Sequence, residues 1–402
     1  MSNDIPTCPV ALPVDFRVDA DESFGSAHRQ YAELRARCPV AHTDSLGGFW
    51  AVTRYADVLQ VLGEPETYIT SVQNVVPKVA FTGRRPPLHL DPPEHTPYRA
   101  VLNPLLSPER VALLEPTVRR LTREHLKQLL DAGSGDICEV VGGQVPVKVF
   151  ATWMQLPAPL EAALMDAGPA FVRAVEANDP EAMKATSLAL YDMARELIAL
   201  RHREPLDPDS DPTSAILAAR INGEPVPDAM AIGMVRQVLV VGIVAPLVMT
   251  GNVAVHLAQH PALHAQLKAD PALVPAALEE FLRLYTPYRG FARTANRDVE
   301  LGGRQIRAGE AIALVYASAN RDEAVFERPD EFILDRPNIK DHIAFGRGAH
   351  YCAGAALGRL QVRVLLEELL AATTRLELLA EPVMSPFPEL GPWQVRVRLL
   401  AG

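Results

Sequence analysis

The chain has 402 residues, 49 acidic against 39 basic, and a formal net charge of −10. That balance excludes a general nucleic-acid binder and leaves only local basic patches to meet an acidic partner. Four scattered cysteines, Cys8, Cys38, Cys138 and Cys352, form no CxxC pair, which argues against a zinc site or a disulfide framework and for a reducing, cytoplasmic setting. The length admits two or three domains or one large fold, and 48% hydrophobic residues are ample for the core of a soluble chain. No signal peptide is expected, since the start lacks a basic region followed by an apolar one. The longest apolar run, Val238 to Met249, is shorter than the roughly 20 residues of a membrane helix, so no membrane is expected either.

Residues 1–20 read as an irregular segment. Residues 27–37 place Tyr31 and Leu34 on one face and predict a helix. Cys38 to His42 interrupts it, residues 48–52 read as a strand and residues 57–62 as a short helix. Residues 71–90 mix valine, proline and glycine without periodicity and read as a loop. In Leu90–Arg99, Asp91 is positioned to cap a helix whose first turn the prolines pre-set. His95 and Arg99 are four apart and project from one helical face, a pair that suits an anionic group or a solvated basic surface.

Helical patterns then cover residues 110–132, 145–154, 160–174 and 182–203, with an acidic, proline-rich connector after them. Residues 230–256 read as one long apolar helix. Residues 271–284 are amphipathic and carry Glu280 and Arg283, which can pair at this spacing. Short β-like pieces follow at 292–295, 299–303 and 311–316. There is no internal repeat.

The sequence is most specific at Phe345-Gly346-x-Gly348-x-His350-x-Cys352-x-Gly354, directly ahead of an apolar helical pattern. Glycines let a backbone approach a flat ligand closely, and a cysteine at a helix start has a depressed pKa and ligates metal readily. A buried free thiol beside a turn is the structural alternative. The stretch resembles the haem-thiolate loop of the cytochrome P-450 family, in which the axial cysteine pushes electron density onto iron.

The resemblance spans nearly the whole chain and implies a mainly α fold with small β-sheets. Haem b would lie between the central long helix and the Cys-loop helix, in one catalytic domain over residues 21–402. It implies Cys352 as iron ligand, Phe345, Gly346 and Gly354 as haem-loop residues, and His95, Arg99, Arg293 and His350 as propionate partners. Glu280, Arg283 and Arg336 resemble the family's structural triad. The substrate pocket falls on Val75, Val76, Phe81, Phe171, Val238, Val241, Pro287, Tyr288, Phe291 and Phe387, nearly all apolar, which suits a small hydrophobic or aromatic molecule. Arg289 is placed to meet a carboxylate, a propionate or solvent. The implied partners are O2 and a separate ferredoxin with its reductase, docking near Arg110, Arg347 and Arg359.

One departure stands out. The family's central helix usually carries an acid and an alcohol that relay protons during oxygen activation; here Gly242 is followed by Val244 and Ala245, neither able to donate a proton. Pro246 is expected to kink the helix and free carbonyls near Gly242 that could hold water. Monooxygenation with atypical proton delivery is the favoured reading. A peroxide-dependent or coupling enzyme and a non-catalytic haem-binding protein are the alternatives.

Overall fold

The computed structural model describes residues 14–18, 23–79 and 82–402. Phe81 and most of the irregular N-terminal segment lie outside them. The chain forms two compact units, one of Met1–Val79, Glu279–Cys352 and Met384–Gly391, the other of Ala80–Leu278, Ala353–Val383 and Pro392–Gly402.

The first unit is built on a five-stranded sheet. Its strands are β1 (Val40–Thr43), β2 (Phe49–Val52), β3 (Tyr68–Ile69), β4 (Phe291–Ala295) and β5 (Ala311–Leu314), in the order β1-β2-β5-β4-β3. Only the β2–β5 pair is parallel. Side chains alternate across the sheet. Trp50, Val52, Ile312 and Leu314 pack with Val58, Val61 and Leu62 of helix α2 (Tyr55–Gly63). Phe49, Ala51, Ala311 and Ala313 face Ala27, Tyr31 and Leu34 of helix α1 (Ser26–Arg37). The alanines on this second face leave room for the bulky Tyr31 and Phe49. The strand at Val40–Thr43 falls where the sequence read only a break.

The second unit holds most of the helices. They include α3 (His95–Leu102), α4 (Glu115–Ala132), α5 (Ala158–Glu176), α6 (Pro180–Arg203), α7 (Asp228–Val240), α8 (Val244–Gln259) and α9 (Ala355–Ala372). Helices α5 and α6 form a hairpin whose turn is fixed by Asp179, its carboxylate accepting from the amides of Glu181 and Ala182. Helices α4 and α9 are tied by charge: Arg119 reaches Glu367 and Glu368, each at 2.6 Å, and Arg363 reaches Glu115 at 2.6 Å.

Three expectations are corrected. The capping residue of α3 is Glu94, without a side-chain bond, while Asp91 accepts from the His95 amide through its backbone carbonyl. The residue 230–256 pattern is two helices, not one. It breaks at Gly242, not at Pro246, because Gly242 takes φ +114° and any Cβ there would collide with the Phe150 ring. Pro246 instead lies in the first turn of α8, where a missing N–H costs nothing. Cys38, finally, is disulfide-bonded, while Cys138 and Cys352 are not. Residues 228–259 are together long and apolar enough to cross a membrane, but most of their apolar stretch is buried inside the protein.

Candidate active site

The cysteine loop is shaped by its backbone. Gly346 and Gly348 both sit at positive φ, +70° and +74°, and a Cβ on Gly348 would come within 2.9 Å of the Leu62 carbonyl oxygen. The amide of Gly346 donates to Ile343 O at 2.9 Å and the Cys352 amide to Phe345 O at 2.9 Å, closing a turn that presents the cysteine. Cys352 is exposed, whereas Cys138 is buried and burial raises its thiol pKa well above the ordinary value. Of these two thiols only Cys352 is positioned to give up its proton to a metal.

The loop is anchored from behind. Asn320 accepts from the Ile343 amide at 2.7 Å and donates to Thr286 Oγ1 at 2.7 Å. Glu280 grips Arg283 through both oxygens, at 2.7 and 2.8 Å, and takes Arg336 Nε at 3.0 Å. The leftover guanidinium protons go to the carbonyls of Asn320, Pro329, Glu331 and Glu327. Phe326 lies under both arginines, 5.3 and 6.0 Å from their centres. The three charges are fully buried, and their work is to pin the backbone of residues 320–336.

Cationic groups sit on both units. Arg293, buried on β4, donates to its neighbour's carbonyl at 2.9 Å and is hydrogen-bonded to Tyr316. Burial raises the Tyr316 pKa, so the phenol stays protonated. His350 Nε2 lies 3.2 Å from Thr70 Oγ1 at the end of β3, a contact invisible in the sequence because 280 residues separate the two. In the other unit, His95 and Arg99 share α3. Burial, followed by the nearby Arg99 charge, lowers the His95 pKa, which favours the neutral imidazole.

The residues expected around a substrate divide. Val75 bridges to Phe291, whose ring lies 4.5 Å from that of Tyr288. Val76 and Phe387 are buried in the α1-side core, with Phe387 against Phe49 at 5.3 Å. Pro287 is buried and accepts from the Leu390 amide; Arg289 Nε donates to Glu389 O. Phe171 and Val238 are buried in the second unit, while Val241, at the end of α7, is 39% exposed. Val244 is buried and Ala245 half-buried, and Thr250, the nearest hydroxyl downstream on α8, donates to Pro246 O at 2.8 Å. Among the docking candidates, Arg347 is exposed and Arg359 half-buried, whereas Arg110 is taken up by the carbonyls of Pro208 and Asp209.

Comparison with known proteins fixes the class. The family model described as Cytochrome P-450 matches residues 252–380. Cytochrome P-450 107B1 of Saccharopolyspora erythraea is 31% identical over 90% of this chain and 91% of its own. The erythromycin C-12 hydroxylase of the same organism is 32% identical over 82% of this chain and 83% of its own. A solved cytochrome P-450 from Chondromyces apiculatus superposes with a TM-score of 0.84 at 29% identity, covering 94% of this chain and 96% of that one. The chain belongs to the cytochrome P-450 family; it is a monooxygenase with the mainly α fold of that family, and its cofactor is haem b.

The residues present fit that group. Each unit by itself carries chemistry that suits such a group: the first an exposed thiol with Arg293 and His350, the second the His95–Arg99 pair and an exposed, apolar Val241.

Proposed function

We propose that this monooxygenase inserts one oxygen atom from O2 into a small hydrophobic or aromatic substrate, by hydroxylation or O-dealkylation, and delivers protons without a side-chain acid or alcohol. The haem supplies thiolate-ligated iron for oxygen activation. Cys352 is the ligand, positioned by the two left-handed glycines and the Phe345 carbonyl. Phe345, Gly346 and Gly354 let the ring approach. His95, Arg99, Arg293 and His350 hold the propionates, with Tyr316 and Thr70 orienting the latter two. Residues 21–402 serve as one catalytic domain. Electrons arrive from a separate ferredoxin and its reductase, and the enzyme works in the cytoplasm.

The observation that carries the proton-delivery reading is the break at Val241–Ile243. An ordinary helix consumes its own amides and carbonyls; here α7 ends and α8 begins within three residues, so the last carbonyls of one and the first amides of the other lack the intrahelical partners that a continuous helix would supply. Those groups can order water where the side chains of Val244 and Ala245 cannot. Gly242, Val244 and Ala245 thereby shape the relay without entering it. Val75, Tyr288 and Phe291 in one unit, and Val241 in the other, are the candidates for contact with substrate. Turnover under 18O2 with NADH, ferredoxin and reductase, compared with turnover on hydrogen peroxide alone, tests this reading. Incorporation of one labelled atom with efficient NADH use supports it. Product formed at useful rates only with peroxide contradicts it and favours the peroxygenase.

A further inference from the structure

We propose that Arg85 and Arg236 form a receptor for the carboxylate of an anionic organic substrate. The ligand's identity as substrate rests on the monooxygenase reading above; the receptor itself stands on the geometry of one unit.

Arg236 lies on α7, little more than a turn before the helix ends, and is 0% exposed. Its guanidinium sits 4.7 Å from the Phe171 ring of α5 and 5.7 Å from the Tyr191 ring of α6. One nitrogen donates to Ser187 Oγ at 3.0 Å, while Nε and Nη1 are buried with no partner. Arg85, also buried, lies with Nη2 2.6 Å from His89 Nε2. Burial, reinforced by the two arginines, holds His89 down at about 3, so the imidazole is neutral and supplies no counter-charge. Among the described residues no carboxylate pairs with Arg85 or Arg236.

Several other buried arginines are matched by acids, Arg201 by Asp211 and Arg283 and Arg336 by Glu280. Burial pulls Arg236 down to about 9 and Arg85 to about 10, yet both remain charged at neutral pH. Two uncompensated buried cations are costly, and an arriving anion relieves that cost. A guanidinium is the side chain best suited to a carboxylate, and the flanking Phe171 and Tyr191 rings suit an apolar body behind it.

The loop that carries Arg85 is docked as a cover. Thr82 Oγ1 lies 2.6 Å from Ser187 Oγ, and the Tyr191 hydroxyl donates to Arg84 O at 3.1 Å. Gly233 of α7 has no side chain where any Cβ would strike the Arg84 carbonyl. Three helices and one loop thus converge on two positive charges, and the chain leaves the negative one to be brought in.

The test titrates the purified holoenzyme with benzoate, phenylacetate and decanoate, each against its primary amide. Spin-state absorbance and thermal unfolding are read independently, with chloride and phosphate as controls. At least one acid is expected to bind about tenfold more tightly than its amide and to raise the unfolding temperature. Arg236→Gln is expected to bring that ratio close to one, and Arg85→Gln, in the loop, to lower it should the first variant not fold. Equal binding of acid and amide, failure of all three acids to bind, an unchanged ratio in folded variants, or stabilisation by chloride and phosphate alone would each overturn the proposal. Thermal unfolding does not depend on thiolate chemistry. An acid preference in a protein lacking the reduced carbon monoxide band therefore upholds the receptor and rejects the monooxygenase reading.

Discussion

Glu389 is buried against Arg289, and burial lifts its carboxyl to about 8 despite that cation. Because the folded pKa lies above the ordinary 4.5, the folded protein keeps a proton that the unfolded chain releases. Stability therefore falls as pH rises from about 4.5 towards 8, and levels off above it. Unfolding followed between pH 5 and 8 is expected to show this decline in the parent protein and a flatter profile in Glu389→Gln. A second prediction concerns Glu280. Removing its charge by Glu280→Gln leaves Arg283 and Arg336 buried without a counter-ion, a change of about 3–5 kcal/mol. Denaturant titration is expected to show a loss of that size, with Phe326 and the carbonyls of residues 320–331 unable to compensate.

At the scale of elements, the decisive feature is the split between α7 and α8. Gly242→Ala is expected to destabilise the protein by about 1–3 kcal/mol, since alanine meets both the left-handed backbone and the Phe150 ring. If the open helix ends order the relay water, the same variant diverts a larger share of NADH to hydrogen peroxide, measured by peroxide release per NADH consumed. Ala245→Thr, which places a hydroxyl near the break, is expected to leave coupling unchanged or better. This break shows where sequence reading reaches its limit. Apolar residues run through Val238–Met249 without a change of period, so the pattern describes one helix. Pro246 drew the kink to itself because proline is the strong local signal, whereas the deciding fact is a tertiary one, Phe150 lying against Gly242.

Across the whole molecule, the parts legible in the sequence are those with local rules. The cysteine loop is readable because its glycines, histidine and cysteine are close in sequence, and the Glu280–Arg283 spacing makes its pairing a helical necessity. Contacts made by chain reversal leave no such mark. Thr70 with His350, Tyr316 with Arg293, and Arg85 brought into the surroundings of Arg236 depend on how distant segments pack. Docking of the redox partner is a further long-range property. Arg347 is exposed, while Arg110 is already engaged by the 208–209 backbone. On the proposed ferredoxin pathway, Arg347→Glu is therefore expected to slow electron transfer more than Arg110→Glu, and both effects to shrink as salt screens the charges. The most direct test of the account is the absorption spectrum of the reduced protein under carbon monoxide, taken for the parent chain and for Cys352→Ala. A band near about 450 nm that is lost in the variant is the result expected of a Cys352-ligated haem; its absence from the parent, or its persistence without Cys352, contradicts the assignment of the iron ligand.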